Sequence, residues 1–445
     1  MNENKMINGF KKWGSSPMAK ILITLFIAIL LMIPISAIKD LMGEREFRRD
    51  DAKTDVINQW GGWQYIAGPI LAVPVLEESL EHYTDRTETK ILRHYLYILP
   101  DSLIIDGKIQ SQIREKGIFE IELYSGKFSV QGSFSKPEDP LWNLDNGTIL
   151  WEEARLILGL GDVKGLSQAV DLNWNGIKTN FQGGTSGTGI FPVGISAPTP
   201  FFSDDSIQFD LSASLKGGGS ISFYPLGGET HVSIESDWVS PGFAGSFLPS
   251  DRDLNEKGFS ARWEIQALAR NYPQNWIDDE VSWDEINQSN FGVDFLTPVD
   301  GYFKSHRAIK YSFLFIFLPF ITLFLFEIFA QGRLHPFQYI MVGLTVCMFF
   351  LLLLTLSEHL DFNLAYLSAG FASAALVSFY TGAVFRSFLK GGLMAILNAF
   401  LYLYLNMALA SEDYALLIGS LGLFIILTGI MILTRKINWY EIGKK

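Results

Sequence analysis

The chain holds a single cysteine, Cys347, among 445 residues. That excludes an intramolecular disulfide, a thiolate zinc cluster and any two-cysteine redox pair. Charge is scarce as well. Asp, Glu, Lys and Arg make up 18% of the residues, against about a quarter in soluble domains. Acidic residues outnumber basic ones, 47 to 35, for a net charge of −12. A phosphate-binding face needs the opposite balance, so no nucleic-acid partner is expected. What is present is apolar: 48% of residues are hydrophobic and 14% aromatic. Such a chain is not disordered. It reads as a membrane protein with a sizeable polar part.

A membrane-crossing helix needs about 20 mostly apolar residues. Six stretches qualify: Ile21–Ile38, then Tyr311–Ala330, Tyr339–Leu356, Phe362–Phe385, Phe388–Ala410 and Tyr414–Thr434. The expected architecture is therefore an α-helical bundle of six transmembrane helices, one N-terminal and five C-terminal. A large domain is inserted between the first and second. The expected segments are a cytoplasmic N-terminus with the first helix (1–38), a helical stalk (39–60), a β-rich extracytoplasmic domain (61–310), five helices (311–434) and a tail (435–445). The first apolar run exceeds the 7–15 residues of a signal-peptide core, and ISAIKD offers no small-residue cleavage site, so it reads as an uncleaved anchor.

Orientation follows from the distribution of Lys and Arg. Lys5, Lys11, Lys12 and Lys20 precede the first span. Arg333, then Arg386 with Lys390, then Arg435, Lys436, Lys444 and Lys445 mark alternate connections, while SEHLD and SEDY carry only acids. Both termini are expected in the cytoplasm, with the large domain on the opposite side of the membrane. Residues 39–310 carry 24 basic and 40 acidic side chains, which keeps that domain soluble and off anionic lipid.

Within the inserted domain the stalk block EREFRRDDAKTDVINQW has helical spacing. Phe47, Val56, Ile57 and Trp60 fall near one face, Glu44 and Arg48 are an i,i+4 pair, and Gly61-Gly62 ends the helix. Beyond it the period becomes two. Phe119, Ile121 and Leu123, then Phe128, Val130 and Phe134, read as two strands joined by a tight turn at Ser125-Gly126. The alternation recurs at Ile207–Leu211, Ile221–Phe223, Val232–Ile234 and Trp263–Ala267. Largely antiparallel sheets packed as a sandwich are expected. Nine of the eleven tryptophans lie in this domain, filling its core or forming an aromatic binding face. The stretch NFQGGTSGTGI (Asn180–Ile190) reads as a solvated, mobile loop without the Gly-Lys-Ser/Thr of a phosphate site.

Signatures of chemistry are missing. The six histidines include no i,i+4 pair and no His-Glu-x-x-His frame, and neither a Gly-x-Ser-x-Gly elbow nor a dinucleotide glycine fingerprint occurs. Asp204-Asp205 and Asp278-Asp279-Glu280 are chain neighbours whose side chains diverge. No catalytic residue, metal ligand or cofactor site is assigned, and the chain is not expected to be an enzyme. Cys347 reads as a small buried hydrophobe.

Two membrane residues stand out. Glu327 is the one carboxylate inside an expected span, and a charge there needs a partner or the interface. Arg333 and His335 follow it closely, and Arg386 and Lys390 come to the same level, so these four are its candidate ion-pair partners. Pro34 interrupts the first span and is a candidate hinge.

The long blocks EREFRRDDAKTDVINQWGGWQYIAGPILAVPV, SDWVSPGFAGSFLPS, FGVDFLTPVDGYFKSHRAIKY, FLFEIFAQGRLHPFQYIMVGL and LLLLTLSEHLDFNLAYLSAGF resemble the CreD family of bacterial inner-membrane proteins along nearly the whole chain. Lys116 departs from the family pattern, which favours Arg there. The resemblance implies an inner-membrane protein tied to cell-envelope integrity and stress response, produced under two-component control. It brings no catalytic residues. The reading that follows has the periplasmic domain binding an envelope component or protein partner, with the lipid bilayer as the other partner. The alternative is a lipid or small-molecule transporter or handling protein, and, further off, an enzyme on an envelope polymer. Asn398, Asn406 and Ser368 are the polar mid-span groups a transporter would use, though they serve equally as interhelical hydrogen-bonders.

Overall fold

The structure is a computed structural model that describes residues 17–82, 87–137, 147–199, 206–295, 301–329, 334–410 and 415–435. The chain divides into two compact units, one of residues 1–49 with 299–445, the other of residues 50–298.

The first unit is helical. Helix α1 spans Pro17–Leu30 and α2 Met32–Trp60. Within the second unit lies the short α3, Trp283–Asn287. The helical unit resumes with α4 (Gly301–Lys310), α5 (Ser312–Phe329), α6 (Pro336–Ser357), α7 (Phe362–Val384), α8 (Phe388–Ala410) and α9 (Ala415–Thr434). Among the described residues six helical runs are long and apolar enough to cross a membrane. Their core is aromatic: Phe315, Phe349 and Tyr402 stack within 4.8–5.2 Å of one another, and the Tyr366 hydroxyl donates to the Tyr402 carbonyl at 3.0 Å. Asp361 in SEHLD caps α7 by accepting from the Asn363 amide at 2.9 Å.

The break between α1 and α2 falls at Leu31, three residues before Pro34. A proline lacks the N–H that would bond the carbonyl one turn back, which accounts for the position of the break. The Cys347 thiol donates to the Leu31 carbonyl at 3.8 Å. The cysteine is thus a buried group with a polar task at the break.

Among the described residues the second unit is built on two sheets of ten and eight strands. Gln64–His82 lies in the middle of the larger one. It pairs antiparallel with Thr87–Ile98 and Arg155–Leu160, and parallel, over Gln64–Ile66, with Ile221–Phe223. The smaller sheet is antiparallel except where Ser102–Ile109 runs parallel to Glu229–Ser236. The sheets are therefore mixed, not uniformly antiparallel. One continuous apolar core draws on both, with rings meeting across it at Phe128–Phe223 and Trp263–Phe291. Trp174, Trp263 and Trp276 are fully buried in that core.

Three expectations change here. The hairpin expected at Ser125-Gly126 does not exist: Phe119–Ser135 is one strand, and the turn lies at Gly117, whose φ is 67°. Gly126 is in the strand because a Cβ there would stand 2.6 Å from the Phe128 ring, so it makes room rather than a corner. The Gly/Ser/Thr stretch is tied down. Thr188 accepts through its carbonyl from the Tyr97 hydroxyl, and Ser186 bonds Ser196 at 2.8 Å. The stalk has no single apolar face, since Phe47 is 72% exposed whereas Ile57 is buried.

Candidate functional site

Among the described residues no three His, Cys, Asp or Glu side chains are grouped as metal ligands. The polar groups that organise the molecule form clusters along α2 and at the two ends of the helical unit.

At one end sits Glu327, two residues before α5 stops. It is only 6% exposed. Its Oε1 forms an ion pair with Lys20 of α1 and accepts from the Leu334 amide at 3.2 Å; Oε2 accepts from the Tyr339 hydroxyl of α6 at 3.3 Å. A buried carboxylate is tolerable only when paired and saturated with donors, and here three segments supply them. The chemical capacity of this arrangement is fixation: it ties α1, α5 and the start of α6 at one point.

Of the four cations expected to serve Glu327, the three described ones are placed elsewhere. His335 is exposed and caps α6, its Nδ1 accepting from the Phe337 amide at 3.3 Å. Arg386 is exposed, with φ of 47° in the turn after α7. Lys390 lies over the Phe385 ring at 4.6 Å. Arg333 lies outside the described residues. The partner is Lys20 because α1 packs beside α5 and α6, a neighbour that short-range reasoning along the chain does not reach.

At the other end α2, α4 and the C-terminus of α6 meet. Glu358 accepts from the Tyr302 hydroxyl at 3.2 Å and lies 3.8 Å from Arg45; His306 Nε2 lies 3.1 Å from Glu46; Arg49 sits 5.2 Å over the Tyr302 ring. Burial, reinforced by the Glu358 carboxylate, pushes the Tyr302 hydroxyl up to about 12. Glu44 and Arg48 pair at 2.5 Å as their spacing requires.

In the second unit the end of α2 is docked on the eight-stranded sheet. Ile57 is buried between Ile121 and Leu123. Lys53 pairs with the buried Glu122 at 2.8 Å, and Lys116 meets Asp55 at 2.8 Å. The Trp60 indole lies between Arg114 at 3.9 Å and Lys216 at 4.7 Å, and its N–H donates to the Tyr124 carbonyl at 3.2 Å. Gly61 and Gly62 both donate to the Ile57 carbonyl, at 3.0 and 2.7 Å. Any Cβ on Gly61 would stand 2.3 Å from the Lys216 carbonyl oxygen. The block that reads as the family's hallmark is thus the joint between helix and sheet. Burial raises the Asp294 carboxyl, with Lys53 opposing.

A fourth cluster joins two strands of the larger sheet to the turn after Ile277. His94 contacts Asp278 at 2.5 Å and Glu77 at 3.1 Å, and Asp278 also accepts from the Tyr95 amide at 2.7 Å. The hydrogen bond to Asp278, against some desolvation, lifts the imidazole above its ordinary 6.5.

A bundle of membrane-crossing helices carrying one large inserted β unit defines a multi-spanning membrane protein. The family profile described as Inner membrane protein CreD matches residues 16–440. The chain is 31% identical over 431 residues to the Inner membrane protein CreD of Escherichia coli (strain K12), covering 96% of this chain and 94% of that one. The chain belongs to the CreD family. Among solved structures, an M1 zinc metallopeptidase from Deinococcus radiodurans aligns at 9% identity over 41% of each chain, with a TM-score of 0.21. That likeness is too slight to carry fold or chemistry across.

Proposed function

We propose that the chain is a non-enzymatic inner-membrane protein supporting envelope integrity or the envelope stress response. Its termini are cytoplasmic, and its acidic β unit binds an envelope component or protein partner in the periplasm. The observation that carries this reading is the docking of Lys53, Ile57 and Trp60 on the sheet. The chain enters its β unit through a helix built into that unit's own packing, not through a loose linker. The family resemblance supplies the envelope context.

The test is complementation of a strain lacking the protein under envelope stress, comparing wild type with Trp60→Ala and with a chain lacking residues 50–298. Loss of protection in both, with normal membrane insertion, is expected. Full protection by the chain without its β unit would overturn the reading. The alternative, lipid or small-molecule handling, is favoured by Asn398. It is buried in α8, and its amide nitrogen has no hydrogen-bond partner among the described residues.

A further inference from the structure

A cavity of about 420 Å³ opens between α1, α5 and α9. Its walls run from Ile21 to Ala28 on α1 and from Phe317 to Leu325 on α5, and end on Ile430 and Thr434 of α9. The α5 wall covers eight residue steps, about 12 Å of helix rise. That is close to one leaflet of hydrocarbon, about half of the 30 Å core. Two threonines, Thr24 and Thr434, are the polar side chains of the lining, and the Thr434 hydroxyl already donates to the Ile430 carbonyl at 2.7 Å. Among the described residues α9 is little covered: only 6% of its span is buried.

The mouth differs from the walls. Lys20 immediately precedes the lining residue Ile21 and stays 27% exposed although paired with Glu327. Exposed Arg435 immediately follows the lining residue Thr434. Among the described residues, two cations stand here against one carboxylate, a net positive balance. Inside a bilayer an apolar groove of leaflet depth is filled by acyl chain, and a cationic rim selects the headgroup above it.

We infer that this groove is a lipid site, holding one acyl chain of an anionic phospholipid with its phosphate at Lys20 and Arg435. The occupant comes from the leaflet at the Lys20 end of the bundle. The inference does not depend on what the β unit binds.

The full chain is purified in mild detergent and then exposed to dioleoyl phosphatidylglycerol or dioleoyl phosphatidylcholine, with retained lipid counted by native mass spectrometry. Wild type should hold one lipid and prefer phosphatidylglycerol by roughly fivefold, the worth of one Lys or Arg beside an anionic surface. Thr24→Phe, which fills the groove from a half-buried position, should lose the lipid while keeping its helical circular dichroism. Arg435→Gln should keep the lipid and lose most of the preference. Equal retention of the two lipids by wild type would overturn the inference. So would retention by Thr24→Phe at the wild-type level. The wild-type comparison decides the matter alone should the Phe variant fail to fold.

Discussion

Lys20 and Glu327 form an ion pair although 307 residues separate them, and the carboxylate is far more deeply buried than the ammonium. The asymmetry sets which removal is worse. Lys20→Met leaves a 6%-exposed carboxylate with only the Leu334 amide and the Tyr339 hydroxyl, and should cost about 3–5 kcal/mol, the range for breaking a buried pair. Glu327→Gln replaces two acceptor oxygens by one, which serves the Leu334 amide, while the Tyr339 hydroxyl can turn to accept from the new amide N–H. The lysine left behind can reach water, so the cost should be about 1 kcal/mol. Thermal melts in detergent check the order. A Glu327→Gln chain melting below Lys20→Met would show that the pair is not organised as described.

The Trp60 joint should be worth about 2–3 kcal/mol to the β unit. Each cation–π contact contributes about 0.5–1 and the indole hydrogen bond about 1. Urea unfolding of a fragment covering residues 50–298 should be cooperative, with Trp60→Ala lowering stability by that amount and Trp60→Phe by about 1 kcal/mol. A fragment beginning at residue 61 loses the whole helix and should be weaker than either. Equal midpoints for the two fragments would show that the helix adds nothing to the sheet.

His94 should make the β unit more stable in mild acid. Its folded value lies above the ordinary 6.5, chiefly through the hydrogen bond to Asp278. The contribution is therefore complete below pH 6.5 and fades as pH rises through the folded value. His94→Gln should flatten this slope without abolishing folding. A wild-type midpoint that rises across the same interval would contradict the assignment.

Reporter fusions after Arg333, Arg386 and Lys445 should report cytoplasm, and fusions after Asp361 and Asp413 the exterior. The alternation of basic and acidic connections requires that pattern. One inverted pair of fusions would refute the proposed topology.

What could be read along the chain depended on the range of the forces involved. The six apolar runs and the strands at Ile207–Leu211, Val232–Ile234 and Trp263–Ala267 are local patterns, and the structure places helices and strands at those positions. The last strand stops at Gln266, one residue short of Ala267. Gly126 was misread because a glycine that turns a chain and one that yields to the Phe128 ring look alike in one dimension. Glu327 was legible as a residue needing a cation, since burial alone demands it. Its partner was not, because Lys20 belongs to another helix. The signal that could have found it was present: Lys20 is the basic residue directly abutting the first apolar run, at the membrane level where α5 ends. The Trp60 joint was invisible for the same reason, as Arg114, Lys216 and Tyr124 come from different strands.

The placement of Gln64–His82 at the heart of the larger sheet has a consequence for how the protein is made. This strand emerges first, yet its parallel neighbour at Ile221–Phe223 is synthesised more than a hundred residues later. At ribosomal speed that wait is on the order of ten seconds or more. During it a long, apolar strand has open backbone edges, the condition under which chains pair with the wrong partner. Its near-term companion, Thr87–Ile98, follows at once and covers one of those edges from Leu71 to His82. The early hairpin is thus a temporary guard, and a chaperone would find its work at the other edge, before Arg155–Leu160 arrives.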